Sequence, residues 1–84
     1  MSTLAIEVNP LAESVECTND ELIVSLVDGR KVSVPLVWFP RLADATVEER
    51  SNWEILGDGQ GIHWPDIDED ISVSGLLQGT HLST

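Results

Sequence analysis

Two short runs of alternating apolar residues flank an Asp28-Gly29 pair, and they constrain the fold more than any other stretch. Residues 21–26 read E-L-I-V-S-L and residues 31–34 read K-V-S-V. Runs with this period, separated by a turn dipeptide, indicate a β-hairpin. Turn length then decides which side chains face each other. A two-residue loop at Asp28-Gly29 pairs Leu26 with Lys31 and Val24 with Ser33, which mixes apolar and polar residues on both faces. A three-residue loop, Val27-Asp28-Gly29, places Gly29 in the left-handed position of a bulge. It pairs Val24 with Val32 and Leu22 with Val34, so that one face is apolar and Leu26 adjoins it. Burying each such side chain is worth about 1.5–3 kcal/mol, and a one-residue slip would expose them all. The bulged hairpin is therefore the expected register.

The remaining elements follow from local chemistry. Residues 1–10 end in Asn9-Pro10 and are read as a loose lead-in. Residues 11–17 are read as a first strand, with Leu11, Val15 and Cys17 on one face that Glu13 interrupts. Pro35 cannot donate a ladder hydrogen bond, so the hairpin's second strand ends there or lies at an edge. Val37, Trp38 and Phe39 are expected as a buried anchor. Pro40 suits the first turn of a short helix through Ala43. The pattern T-x-x-E at 46–49 is a capping box that opens a second short helix through about Asn52. Leu42 and Val47 are the expected inward residues of this helical layer. Residues 53–56 form a strand, 57–61 a glycine-rich turn, and 62–64 the returning strand, with Ile62 and Trp64 on one face and His63 on the other. Pro65 stops it. Ser72 caps a last helix over 73–78, with Ile71 and Leu76 at the two positions of a hydrophobic staple. Gly79 stops that helix, and 80–84 is a tail.

The fold class expected is α+β: a small antiparallel sheet of two hairpins and a first strand, with short helices between the hairpins and at the C-terminus. At 84 residues the chain is one domain, 1–84, with its core over 11–79. A chain this short buries only about 60–65% of the surface its unfolded form exposes, and a core of this size supplies about 3–5 kcal/mol. Cys17 is the single cysteine, so no disulfide forms within the chain, which fits a reducing compartment. Residues 1–10 lack the basic region and apolar run of a signal peptide, and no apolar run approaches the length of a membrane span. A cytoplasmic location is the expectation.

Charge is lopsided: 15 acidic residues against 4 basic ones give a formal net charge of −11. Direct binding to a nucleic-acid backbone or an anionic membrane requires the opposite sign. A basic protein partner is electrostatically favoured. The simpler explanation is that acidity serves solubility alone.

The strings W-F-P-R-L at 38–42, W-E-I-L-G at 53–57 and G-I-H-W-P-D-I-D-E-D-I-S-V-S-G-L-L at 61–77, together with D-G-R-K-V-S-V-P-L at 28–36, resemble the family known as domain of unknown function 2442. The resemblance covers roughly residues 11–79. It implies a small α+β domain, mostly bacterial, and brings no activity with it. Some longer relatives attach a helix-turn-helix DNA-binding domain. Standalone members are often encoded beside a second small protein, an arrangement that suggests a toxin–antitoxin or similar regulatory pair. This chain ends just after the shared region, so no appended DNA-binding helices are expected, and the DNA link does not transfer.

The residues with chemical potential are His63, Asp66, Asp68, Glu69 and Asp70. Asp66, Asp68 and Asp70 match the first, third and fifth positions of a calcium loop. Ile71 stands where that loop needs glycine and Leu77 where it needs a bidentate glutamate, so no calcium site is expected. One histidine with mixed carboxylates specifies no metal well, and no cofactor is expected. His63 could act as a general base oriented by Asp66 or Asp68, yet no nucleophile motif accompanies it, and nothing near Cys17 in sequence lowers its pKa. The bland alternatives are a strand histidine bonded to a neighbour and carboxylates that favour the N-terminus of the helix at Ser72. Gly57-x-Gly59-x-Gly61 lacks the lysine and long helix of a phosphate loop and is read as a hairpin turn. Of Trp38, Trp53 and Trp64, at least two are expected in the core and not as interface anchors.

Three functional classes follow. The first is a non-enzymatic module that docks a protein partner, as the antitoxin-like or regulatory member of a bacterial pair, with His63, Asp66, Asp68, Glu69 and Asp70 as its candidate surface. The second is a small enzyme or metal-binding domain using His63 and the carboxylates of 66–70. The third is a homo-oligomer closed through an exposed strand edge.

Overall fold

The computed structural model describes residues 10–78. Two three-stranded antiparallel sheets share one core, and a short helical run connects them. The first sheet holds β1 (Ala12–Cys17), β2 (Glu21–Leu26) and β3 (Lys31–Pro35) in sequence order. A 3₁₀ turn over Leu36–Trp38 leads to α1 (Pro40–Ala43) and α2 (Val47–Ser51). The second sheet holds β4 (Glu54–Leu56), β5 (Gly61–Trp64) and β6 (Glu69–Ser72), again in sequence order, and α3 (Val73–Gln78) follows directly. The fold is α+β. The lead-in over 1–9 and the tail from Gly79 on lie outside the described residues.

The hairpin takes the bulged register. Val24 pairs with Val32 and Leu22 with Val34. Gly29 has φ 97°, and its N–H donates to the Leu26 carbonyl at 3.0 Å. Leu22, Val24, Leu26 and Val34 are buried as a result. Pro35 closes β3, an edge strand, where its missing N–H costs no ladder bond.

The first strand corrects one expectation. Its inward residues are Ala12 and Val15, while Leu11 and Cys17 are half-buried. A bulge between Ala12 and Ser14 explains the shift. The extra residue lets Glu13 face water without breaking the apolar side.

The connecting layer corrects two more. Val37 is 75% exposed, and the buried residues around it are Leu36 and Phe39. A 3₁₀ turn has three residues per turn, so positions 36 and 39 share the inward side and 37 points out. Val47 is 71% exposed, and α2 buries none of its residues. That helix is held by polar contacts. Thr46 and Glu49 form the expected capping box, with Glu49 N–H donating to Thr46 Oγ1 at 3.1 Å and Thr46 N–H to Glu49 Oε1 at 2.9 Å. Arg50 reaches back to the end of α1, with Nε donating to the Leu42 carbonyl at 2.9 Å and Nη2 to the Ala43 carbonyl at 3.0 Å. The Arg50 carbonyl in turn accepts from Nε1 of the fully buried Trp64 at 3.0 Å. Trp38 and Trp53 are half-buried against the core, so only Trp64 is wholly interior.

The two sheets meet at the glycine turn. Gly59, at φ 120°, lies against β1, and its carbonyl accepts from Ala12 N–H at 2.7 Å. At the other end of that turn, Val73 N–H donates to the Gln60 carbonyl at 3.0 Å, tying α3 to the same point. Ile62, Trp64, Ile71, Val73 and Leu76 from this half join the core made by the first sheet. Ile71 and Leu76 are both buried, and Gly75 N–H donates to Ser72 Oγ at 3.2 Å, as the cap and staple require. None of the helices described is long and apolar enough to cross a membrane.

Candidate functional site

The stretch over 66–71 is only partly the acidic loop that the sequence suggests. Residues 65–68 turn the chain, and Glu69–Ser72 then runs back along β5 as a third strand. The turn closes through Asp68 at φ 55°, a left-handed conformation that aspartate adopts more readily than a β-branched residue such as Ile71. This places Ile71 opposite Ile62 and Asp70 opposite His63. Ile71 thereby continues the Ile55–Ile62 pair across a third strand, a register that the acidic residues around it conceal in the sequence.

Pairing sorts the second sheet into two faces. Ile62 and Ile71 point into the core, and Ile55 packs partly against it. The opposite face carries two rows of side chains. One row is Glu54, His63 and Asp70, directly opposite one another across β4, β5 and β6. The other is Leu56, Gly61 and Ser72. Cross-strand neighbours in such rows lie close enough for their side chains to interact.

His63 therefore pairs with Asp70, and neither Asp66 nor Asp68 is its partner. His63 Nδ1 and Asp70 Oδ1 are 2.5 Å apart. The hydrogen bond to Asp70 raises the imidazole pKa above its ordinary value, against some desolvation, with the charges of Asp70, Glu54 and Asp68 adding to it. Asp66 accepts from Asn52 Nδ2 at 3.1 Å, which ties the turn to the end of α2. The Asp68 carbonyl accepts from Arg41 Nη1 at 2.7 Å, and the same nitrogen lies 3.9 Å from Glu69 Oε1. Burial raises the Glu69 carboxyl, opposed by Arg41 and reinforced by Asp70 and Asp68. The five residues singled out in the sequence thus divide. His63 and Asp70 are brought together on the open face, whereas Asp66, Asp68 and Glu69 anchor the turn. Glu54, Leu56 and Gly61 belong to the same face and escape a sequence reading, because only the strand pairing reveals them.

The arrangement has limited chemical reach. Among the described residues, no group of three or more His, Cys, Asp or Glu side chains is placed to hold a metal ion. Cys17 lies on the first sheet, paired with Leu22, away from the His63 row. Burial raises its thiol pKa, which the charge of Arg50 only partly offsets, so it is a poor nucleophile. Asp70 accepts from His63 Nδ1–H, so the proton this imidazole takes up or releases is the one at Nε2, and the face around it can present charge.

Beside this pair the face is hollowed. An open depression of about 590 Å³ is lined by Leu11, Leu56, Gly61, Asp70, Ser72 and neighbouring residues. Gly61, which has no side chain, is part of its lining, and Leu56 lies close by: a Cβ built on Gly61 would stand 3.5 Å from Leu56 Cδ1.

Comparisons with known proteins add the family and no activity. Among curated proteins none matches this chain. A protein of unknown function from Rhodospirillum rubrum is similar in structure, with 32% sequence identity, a TM-score of 0.71, and coverage of 83% of this chain and 87% of its own. An uncharacterized protein from Chromobacterium violaceum, solved by solution NMR, shares 25% identity at a TM-score of 0.73, with coverage of 84% of this chain and 67% of its own. The family model described as "Protein of unknown function (DUF2442)" matches residues 12–81, and the chain belongs to that family.

Proposed function

We propose that this chain is a non-enzymatic, cytoplasmic docking domain for a basic protein partner, acting as the antitoxin-like or regulatory member of a bacterial two-protein pair. The observation that carries this reading is where the cations go. Arg50 is committed to the carbonyls of Leu42 and Ala43, and Arg41 donates to the carbonyl of Asp68. Arg30 pairs with its loop neighbour Asp28 at 2.8 Å. Two of the three arginines thus serve backbone oxygens first, and among the described residues most carboxylates have no cationic partner. A surface left this negative attracts a basic protein and speeds its arrival. The family resemblance supports the pairing, since standalone relatives are often encoded beside a second small protein.

The test is co-expression with the products of the genes that flank its own. A stoichiometric complex is expected at low ionic strength, weakening as salt rises to about 0.5 M, where charges more than about 4–5 Å apart are screened. Failure of the pair to co-purify at low salt sinks the reading. The His63–Asp70 pair keeps a second reading in view, a small enzyme or metal domain. Metal analysis of the purified chain, with hydrolase screens on wild type and His63→Ala, separates the two: bound metal or a turnover lost in the variant favours the second.

A further inference from the structure

The open face of the second sheet joins a depression of mixed lining, where Leu11 and Leu56 stand beside Asp70 and Ser72, to a negative row one repeat of the β-pleat away. Leu56 and Glu54 are two residues apart on β4, Gly61 and His63 on β5, and Ser72 and Asp70 on β6. At about 3.4 Å per residue along a strand, the two rows lie roughly 7 Å apart. An extended chain carries its own same-side residues at that spacing. Leu56, 40% exposed, is the one large apolar side chain on this face that remains open to water. The row beside it holds two carboxylates, Glu54 and Asp70, against at most one imidazolium, so it is negative or neutralised only in part at any pH where the acids are ionised.

We infer that this face docks an extended segment of a partner protein bearing an apolar residue and a lysine or arginine two positions apart. The apolar side chain sits over Gly61 against Leu56, and the cation sits on the row of Glu54 and Asp70. The inference rests on the partner-binding reading and adds where the partner lies and which side chains it brings. Gly61 adds no side chain to the depression, and a Cβ there would already stand 3.5 Å from Leu56 Cδ1 and 3.4 Å from the Ile71 oxygen, so larger side chains at this position would narrow it. A second hollow, lined by Glu16, Cys17, Val47, Arg50 and Trp53, sets an arginine beside its one carboxylate and so lacks this charge match.

The test uses the full chain, labelled with ¹⁵N, and synthetic peptides as probes. The first peptide alternates Lys-Ser-Leu-Ser-Lys-Ser-Leu-Ser-Lys. The second has the same composition with lysines and leucines segregated. The third replaces each lysine with glutamate. Expected are amide shifts centred on Glu54, Leu56, Gly61, His63, Asp70 and Ser72 with the first peptide, weaker ones with the second and none with the third. Leu56→Ser should weaken the first peptide about tenfold, as loss of a central apolar contact does. Glu54→Gln should weaken it about threefold, within the range for exposed ion pairs. Val47→Ser and Glu48→Gln, away from the face, should leave it unchanged.

Equal binding of the segregated peptide, shifts centred elsewhere or no shifts overturn the inference. So do two other occupants: face amides that move with protein concentration alone, which give the face to a second copy, and nuclear Overhauser contacts from residues 1–9 to Leu56 or Gly61 in the free chain. The footprint is measured without the neighbouring protein. A missing footprint beside an intact complex discards the surface and keeps the partner, and a missing complex discards the partner reading without altering the footprint.

Discussion

Gly59 and Gly57 sit in one turn and both take positive φ, yet their surroundings make them unequal. A Cβ added at Gly57, where φ is 62°, would meet nothing within 4 Å. Alanine there meets only the backbone cost of the left-handed region, about 1–2 kcal/mol. Gly59, at φ 120°, would place a Cβ 2.8 Å from Leu11 Cβ, 2.9 Å from the Ala12 oxygen and 3.0 Å from the Ala12 nitrogen. Two of these neighbours are backbone, and the Ala12 N–H is already bonded to the Gly59 carbonyl. The junction of the two sheets would have to open. Gly59→Ala should therefore cost about 3 kcal/mol or more, combining strain of about 1–3 kcal/mol with the lost contact. That approaches the whole stability of a domain this size. Urea titration of the two variants side by side checks it: equal midpoints would show that crowding at β1 is absent. The sequence alone assigns these glycines to a turn correctly. It cannot rank them, because the crowding comes from residues nearly fifty positions away.

At the scale of elements, legibility follows the source of each element's stability. The hairpin register is readable because burial of Leu22, Val24 and Val34, with Val32 packed partly against them, decides it. The capping box at Thr46 is readable because its bonds are local. Val47 departs from expectation because α2 has no buried face for a pattern to reveal; it hangs on Arg50 and on the indole of Trp64. Strand β6 is hidden because its acidic residues look like a loop until Asp68 turns the chain back. That strand carries the only pairing of an imidazole with a carboxylate among the described residues, and it makes stability depend on pH. The His63 pKa is raised from 6.5 in the folded chain, first by its bond to Asp70. A group raised on folding contributes fully below its unfolded value and loses that contribution as pH climbs through the folded one. Glu54 on β4 and Asp68 in the turn face it with the same sign as Asp70 and push in the same direction. Denaturant midpoints should therefore be level below about pH 6.5, the ordinary imidazole value, and fall as pH climbs above it through the raised folded value. In His63→Asn the same range should be flat. A wild-type profile without slope there would show that the pair contributes nothing to the fold.

For the molecule as a whole, the decisive quantity is a net charge of −11 on 84 residues. With Arg41 and Arg50 committed to carbonyls, the carboxylates repel one another across a small surface, and such self-repulsion destabilises the compact state. Salt acts on this repulsion and on partner attraction through the same screening, but with opposite consequences. Raising sodium chloride from about 0.02 M to about 0.5 M shortens the screening length from about 20 Å to about 4–5 Å. That relieves repulsion between carboxylates on the same face, so the free chain should melt several degrees higher, given that about 1 kcal/mol moves a domain of this size by about 4–8 °C. The same change should loosen the complex with a basic partner, chiefly by slowing association, since steering depends on long-range field. A chloride series followed by thermal melting and, in parallel, by association rate separates two explanations of the acidity. If it serves solubility alone, the melting temperature rises and no partner shows a salt-dependent rate. If it serves docking, both curves move, in opposite directions, and Glu54→Gln reduces the slope of the rate more than Glu48→Gln does, because the first residue lies on the docking row and the second on the outer turn of α2.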